Sequence, residues 1–525
     1  MWRHHYQCNN CTSKIPGGEY RRTPGFCPLQ YLRISDFSKG TGTSQKTFRK
    51  TGGILLHTCW TLGPGITLPE ILDAREHRAR IQQELLLKQP ASLLSFTLNI
   101  AGPVKVTPFT KWLYHLGCRL IQRGIQKLDG TILETREEKK DTGWEGFFSL
   151  SLSPEIIKSY LVEQELQHPL GRLFDFDVLR PDGSKVSRQE LGFSERTCLI
   201  CENPAFSCGR SRAHSAQELQ AKTTEMIQDF YTERMSVHIG MLMQKALLYE
   251  VNTSLKPGLV DRLHNGSHKD MCIDTFVQSA YALTPYFIEC AKTGLAFEGS
   301  DTELPNLFLK LRTLGIQAES TMLQATKGIN THKGIIFSGG IFCGAAGYAA
   351  SAHMADFKDS KFPELIASIC ENMLSGLLDD YQNITLSTAR THGEKLYAHY
   401  GITGIRGEAA KGFPHVLKYG FPVFQKALET LSSLNKAGLI ALLYYIGNVE
   451  DTNLIIRSDY ETATRIQHTL SAFFKTAEYE EQLKILPALD TFFVSRNISP
   501  GGSADMLALT YFLWFLSEKN CYFEE

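Results

Sequence analysis

Long apolar runs are scarce in this 525-residue sequence. The longest, 439–446 and 507–516, reach only about ten residues, against roughly 20 for a membrane-crossing helix, so no membrane span is expected. A surplus of one charge is also missing: 55 Lys and Arg balance 55 Asp and Glu. That balance excludes the basic footprint of a general nucleic-acid binder. With 43% hydrophobic and only 21% charged residues, it also excludes a disordered chain. Cysteine is sparse, 13 in 525 residues, too few for a disulfide scaffold. The opening Met-Trp-Arg-His-His has no apolar core of a secretion signal, so reduced thiols and a cytoplasmic location are expected. No GxxxxGK[ST] loop, no GxGxxG after a strand and no tandem repeat is present.

What is present divides into three stretches. Residues 1–60 hold nine Lys and Arg against Glu19 and Asp36, with four of the cysteines. No helical or strand period lasts there. Cys8 and Cys11 make half of a zinc pattern without a second half, and the stretch reads as a basic, disordered extension or an upstream segment taken into the reading frame. From 61 to 225, helical and strand-like pieces alternate, which predicts an α/β or α+β domain. Thr67 and Glu70 form a capping box for a helix over 67–88; 93–100 reads as a strand, and 109–127 as a second helix. From 235 to 525 the apolar residues keep helical spacing, for example over 362–380, 422–446 and 506–518, and predict an all-α domain. The fold class is therefore multidomain, with a boundary near 215–232.

Several constellations can carry chemistry. In GRLFDFDV (171–178), Asp175 and Asp177 alternate along a strand, so both carboxylates point to one side. Two hard oxygen ligands there suit Mg²⁺ against a triphosphate, with Gly171 and Arg172 placed to meet phosphate. The plainer reading is two solvated carboxylates at a strand end. Next, Cys198, Cys201, Cys208 and His214 fall within 17 residues, a compact set for tetrahedral zinc; they could equally be reduced thiols beside the phosphate-binding pair Arg210 and Arg212. In the helical half, six Gly-framed loops bring together acids and cations. Lys256, Lys333 and Arg406 beside Gly suit a triphosphate. Asp261, Asp270, Glu408, Asp451 and Asp505 suit Mg²⁺ or a general base. Ser503 or Gly502 opens the last helix, whose free N–H groups suit phosphate. Each loop alone is an ordinary helix connection, but six together are harder to dismiss.

These strings resemble known enzymes. KPGLVDRLHNGSHKDM, GINTHKGIIFSGG, THGEKLYAHYGITGIRGEA, DTN and SPGGSADMLA, spread over 235–525, resemble triphosphoribosyl-dephospho-CoA synthase. LPEILDAREHRARIQQ, GRLFDFDVL and CLICENPAFSCGRSRAHS, in 66–225, resemble holo-citrate lyase synthase, a phosphoribosyl-dephospho-CoA transferase. The resemblance implies a nucleotidyltransferase-like first domain and a fused, bifunctional enzyme of the citrate lyase prosthetic group. The helical half would join ATP and 3′-dephospho-CoA, the 2′-hydroxyl attacking C1 of the ATP ribose and adenine leaving. Asp261 or Asp270 would then be a Mg²⁺ ligand or base. Lys256, Lys333 and Arg406 would bind phosphate, and His332 or Glu408 would help proton transfer. The first half would attach the group to a serine of the citrate lyase acyl carrier (gamma) subunit, releasing pyrophosphate. Mg²⁺ would sit on Asp175 and Asp177, with Arg172, Arg210 and Arg212 on the pyrophosphate. Two alternatives stay open: the parallel malonate decarboxylase carrier system, and a non-catalytic, zinc-dependent scaffold for lyase subunits.

Overall fold

The computed structural model describes residues 63–518 except Met354. The expectations for residues 1–60, Cys8 and Cys11 included, lie outside the described residues.

A small antiparallel sheet forms the first unit. Helix α1 (Leu68–Lys88) starts where the Thr67 N–H donates to the Glu70 carboxylate at 2.8 Å. Strand β1 (Ser92–Leu98) follows, then α2 (Pro108–Lys127), capped by the Thr107 hydroxyl, which accepts from Thr110 N–H. The hairpin β2 (Ile132–Lys140) and β3 (Gly143–Leu150), helix α3 (Pro154–Gln167) and strand β4 (Phe174–Leu179) complete it. The strand order is β2-β3-β1-β4, and every pairing is antiparallel.

The period of two decides which side chains meet. Phe174 and Phe176 are fully buried with Phe96, Leu113 and Ile121 under α2 and α3; each such ring contributes about 1.5–3 kcal/mol. Leu93, Phe147 and Leu179 face the other way and pack on Ile81 and Leu85 of α1. Asp175 and Asp177 share the parity of Leu179 and therefore lie on the α1 face.

A single helix joins the two units. Short α4 (Ala205–Ser211) leads into α5 (Ala216–Asn252), 37 residues and about 55 Å long. Ile227 and Phe230 of α5 belong to the core under the sheet, whereas residues from Met235 onward belong to the second core. The boundary expected near 215–232 thus falls within a continuous helix.

The second unit is all helical among the described residues. It is built from α6 (Ile273–Leu295), α7 (Leu304–Ala325), α8 (Lys333–Ala352), α9 (Phe362–Met373), α10 (His392–Tyr400), α11 (Gly404–Ala410), α12 (Phe421–Leu431) and α13 (Leu434–Asn448). It continues through α14 (Thr452–Arg457), α15 (Tyr460–Thr476), α16 (Tyr479–Lys484), α17 (Leu486–Ser495) and α18 (Gly501–Ser517).

Three sequence expectations need correction. Helix α8 is long and apolar enough to cross a membrane by length and composition, and apolar-run length missed it because Gly and Ser interrupt it. It is buried almost throughout as the core helix of this unit. Small residues let it approach α6 backbone to backbone: a Cβ on Gly294 would stand 2.0 Å from the Gly344 carbonyl. The helical stretch 422–446 breaks into α12 and α13 at Ser432, which takes a left-handed φ of 50°. The stretch 362–380 is helical only to Met373.

Candidate active sites

Five segments supply the charged groups of a cavity of about 370 Å³ in the helical unit, which Phe276 of α6 and Ile405 of α11 also line. The end of α5 supplies Glu250; the loop after it supplies Lys256 and His268; the start of α8 supplies His332, Lys333 and Gly334. Asp451, Asn453 and Arg457 come with α14, and Gly501, Gly502 and Asp505 with α18.

Three carboxylates dominate it. Burial raises Glu250 above the ordinary carboxylate range, opposed by the Lys256 ammonium. Lys256 is itself 1% exposed and forms an ion pair with Glu250. Asp451 is buried and raised as well, although it caps two helices at once: its Oδ1 accepts from Asn453 and Leu454 N–H, and its Oδ2 from Ser503 N–H and Oγ–H. Asp505 is pushed well above its usual range by burial and by the charges of Glu250 and Asp451. It also presses against the first turn of α8, where a Cβ on Gly334 would stand 1.9 Å from Asp505 Oδ2. Only glycine leaves that carboxylate its place.

Imidazoles complete the lining. His332 Nδ1 shares a hydrogen with Ser279 Oγ at 2.7 Å, and its buried Nε2 has no partner among the described residues. Burial and the Lys256 charge lower His332 to about 3, so the ring is neutral at physiological pH. His268 bridges Ser499 Oγ at 2.9 Å and Arg457.

The structure sorts the sequence candidates. Lys256, His332 and Lys333 line the cavity, and Lys333 is exposed beside Glu319. Ser503 lies just behind it, fully buried on Asp451. Asp261 does not line it: its Oδ2 accepts from Lys256 N–H and its Oδ1 from Leu263 and His264 N–H, which shapes the loop carrying Lys256. Asp270 is exposed beside His268. Arg406 is exposed and lies over the Tyr381 ring, and Glu408 is buried against His415 at 2.8 Å. Neither lines the cavity. Glu250 was overlooked in the sequence. Its signal was an acid in the apolar stripe of α5, three and seven residues after the buried Leu247 and Met243.

On the α1 face of the sheet, a polar cavity of about 190 Å³ holds Asp175 together with Arg75, Arg78, Lys105 and Lys111. Asp175 also pairs with Arg196 at 3.1 Å, and Asp177 with Lys185 at 2.7 Å. Burial and the neighbouring Arg75 lower Lys105. Arg78 and Arg75 were legible as a three-residue spacing on one helical face in the opening helix. Arg172 is drawn instead to the Thr197 carbonyl, and Arg210 and Arg212 are exposed on the segment around α4. That segment also gathers Cys198, Cys201, Cys208 and His214, with ligand atoms within 4.8 Å of one another. Against the desolvation that would raise it, the N–H groups of Ile200 and Cys201 and the adjoining thiols bring Cys198 to about 7.

Comparison with known proteins bears on both units. A family model described as ATP:dephospho-CoA triphosphoribosyl transferase matches residues 236–522. One described as apo-citrate lyase phosphoribosyl-dephospho-CoA transferase matches residues 66–230. Protein CitXG of Leuconostoc mesenteroides subsp. cremoris is 35% identical over 462 residues, 86% of this chain and 97% of that protein. The chain belongs to the CitXG family. A second CitXG protein, of Haemophilus influenzae, is 34% identical over 471 residues, 88% of this chain and 98% of its own length. A 2-(5''-triphosphoribosyl)-3'-dephosphocoenzyme-A synthase of Haemophilus ducreyi is 36% identical over 340 residues, 61% of this chain and 100% of its own. CitXG membership favours neither the malonate decarboxylase system nor a non-catalytic scaffold.

Proposed function

We infer that the chain is bifunctional. It makes 2′-(5″-triphosphoribosyl)-3′-dephospho-CoA from ATP and 3′-dephospho-CoA, releasing adenine. It then transfers the phosphoribosyl-dephospho-CoA group to a serine of the citrate lyase acyl carrier subunit, releasing pyrophosphate. The observation that carries this reading is the succession of both family matches along one chain, each over a unit with its own charged cavity. Residues 235–525 are assigned the synthase step, and 61–225, as a nucleotidyltransferase-like domain, the transfer.

In the synthase cavity the donor set fits a divalent cation. Glu250, Asp451 and Asp505 are hard oxygen donors crowded enough that their charges raise Asp505. Glu250 and Asp505 would hold Mg²⁺, which when bound supplies positive charge to the triphosphate. Lys333 and Arg457 add fixed cations, whereas the first amides of α18 are held by Asp451, which accepts from Ser503 N–H. His332 is neutral, so its role is to hydrogen-bond and orient a hydroxyl or the departing purine rather than deliver a proton as imidazolium.

On the α1 face, Asp175 and Asp177 are two partly exposed carboxylates with common parity, and fit Mg²⁺ in the same way. Bound there, the metal supplies charge neutralisation at the phosphoryl group. Arg75, Lys105 and Lys111 share the cavity with Asp175 and neutralise the pyrophosphate that leaves when the carrier serine attacks, while Arg78 is held by Glu145 in the same lining.

The test is one incubation of the full chain with Mg-ATP, dephospho-CoA and apo acyl carrier subunit, read by mass spectrometry. Adenine and a carrier heavier by the phosphoribosyl-dephospho-CoA group are expected. Asp505→Asn should yield neither. Asp175→Ala should still release adenine and accumulate the triphosphoribosyl intermediate. Folded wild-type protein that yields neither product refutes the reading.

A further inference from the structure

We propose that Cys198, Cys201, Cys208 and His214 bind one structural zinc ion, which fastens the arm carrying Arg196 against the Asp175 site. The geometry comes first. Zn–S bonds of about 2.3 Å and Zn–N bonds of about 2.0–2.1 Å, set tetrahedrally, place ligand atoms roughly 3.5–3.8 Å apart. The Cys201 and Cys208 Sγ atoms are 3.5 Å apart, and His214 Nε2 is 3.3 Å from Cys201 Sγ. All four ligand atoms lie within 4.8 Å of one another. A disulfide needs its sulfurs at about 2.05 Å, and these cysteines are free. Three sulfurs and one imidazole without an open position are the donor set of a closed, structural zinc site.

The second observation is that this segment has almost nothing else to hold it. From 198 to 214 only Cys208 is buried, while the large apolar side chains Ile200 and Phe206 are 39% and 74% exposed. Yet the backbone is sharply shaped. Cys198 N–H donates to the Asn203 carbonyl at 2.8 Å, Ala205 N–H to the Arg196 carbonyl at 2.8 Å, and Ala213 N–H to the Cys208 carbonyl at 3.1 Å. Arg212 takes a left-handed φ of 52°, which turns the chain so that His214 reaches Cys201. A short loop and one seven-residue helix without a core of their own are what a metal staple stabilises.

The consequence lies immediately before Cys198. Arg196 joins the buried Glu165 to Asp175 and donates to the Phe174 carbonyl on the outer edge of β4. Arg172 donates to the Thr197 carbonyl. The zinc loop therefore sets where two guanidiniums stand beside the strand that carries Asp175 and Asp177. Arg196 is a positioning residue in this account. Zinc binding itself is independent of the proposed function; only its effect on carrier modification rests on that reading.

Zinc content of the purified full chain, produced with added zinc and dialysed without chelator, tests the proposal by elemental mass spectrometry. One zinc per chain is expected. Cys201→Ser and His214→Ala should lose it, and Cys272→Ser, at the start of α6 and outside the four-ligand cluster, should keep it. Cobalt exchanged into the wild type should give thiolate-to-metal absorption and tetrahedral d–d bands that Cys201→Ser lacks. Hydrogen exchange over residues 196–214 should speed up at least tenfold in Cys201→Ser. Adenine release and hydrogen exchange over β1–β4 should stay unchanged, which shows that both units are folded, while carrier modification falls at least tenfold. Wild type without zinc, or Cys201→Ser that keeps it, overturns the site. A zinc-free Cys201→Ser that modifies the carrier at the wild-type rate overturns the positioning role and leaves the proposed function intact.

Discussion

Replacing Lys256 with methionine should convert a buried ion pair into a buried lone carboxylate. Lys256 is 1% exposed and Glu250 5%, and the two are paired above the cavity floor with Asp505 nearby. Removing one member of such a pair costs about 3–5 kcal/mol, because the remaining charge keeps its desolvation penalty and loses its partner. The loss should depend on pH. Burial already raises Glu250, and without the opposing ammonium it rises further. The folded variant then holds a proton that the unfolded chain releases near pH 4–5, so its stability falls as pH increases. The slope is about 1.4 kcal/mol per pH unit between the unfolded and folded values. The deficit should therefore be small near pH 5 and reach its ceiling toward pH 8. Hydrogen exchange of peptides covering 244–256 under rising urea reads the stability of this unit separately from that of the sheet. Glu250→Gln added to Lys256→Met should recover most of the deficit at high pH. Parallel pH curves for Lys256→Met and wild type, or a double variant no better than the single one, refute the argument.

Gly334→Ala should lower adenine release at least tenfold, because its Cβ must displace the Asp505 carboxylate; carrier modification from supplied intermediate should be unaffected. Asp175→Asn should slow carrier modification by about 10²-fold or more, measured by mass spectrometry with adenine release as the control. His332 sits near 3 and carries no charge change at higher pH. The rate of adenine release between about pH 5 and pH 9 should therefore show no limb from it, and His332→Ala should lower the rate without altering the shape of the profile.

The local signals in the sequence were those that need only near neighbours. The capping box of Thr67 and Glu70 set the first helix start, and strand parity put both Asp175 and Asp177 on one face. The spacing of Cys198, Cys201, Cys208 and His214 already grouped those side chains, because one turn and one short helix suffice to bring them together. The motif strings also carried the family, since each is a continuous stretch of chain.

What each acid does was decided by tertiary structure. Asp261 and Glu408 stand beside glycines in the sequence as Asp451 and Asp505 do, and sequence cannot tell a carboxylate that satisfies backbone N–H groups from one that faces a cavity. Asp505 acquires its chemistry in part from Glu250, 255 residues earlier, once α5 and α18 pack together. The cations around Asp175 come from α1, from the loop before α2 and from α2 itself, elements that meet only when the sheet forms. Sequence determined the elements, their faces and the family. Packing determined which charges share a space poor in water, and there proximity and desolvation, not residue type, set the chemistry.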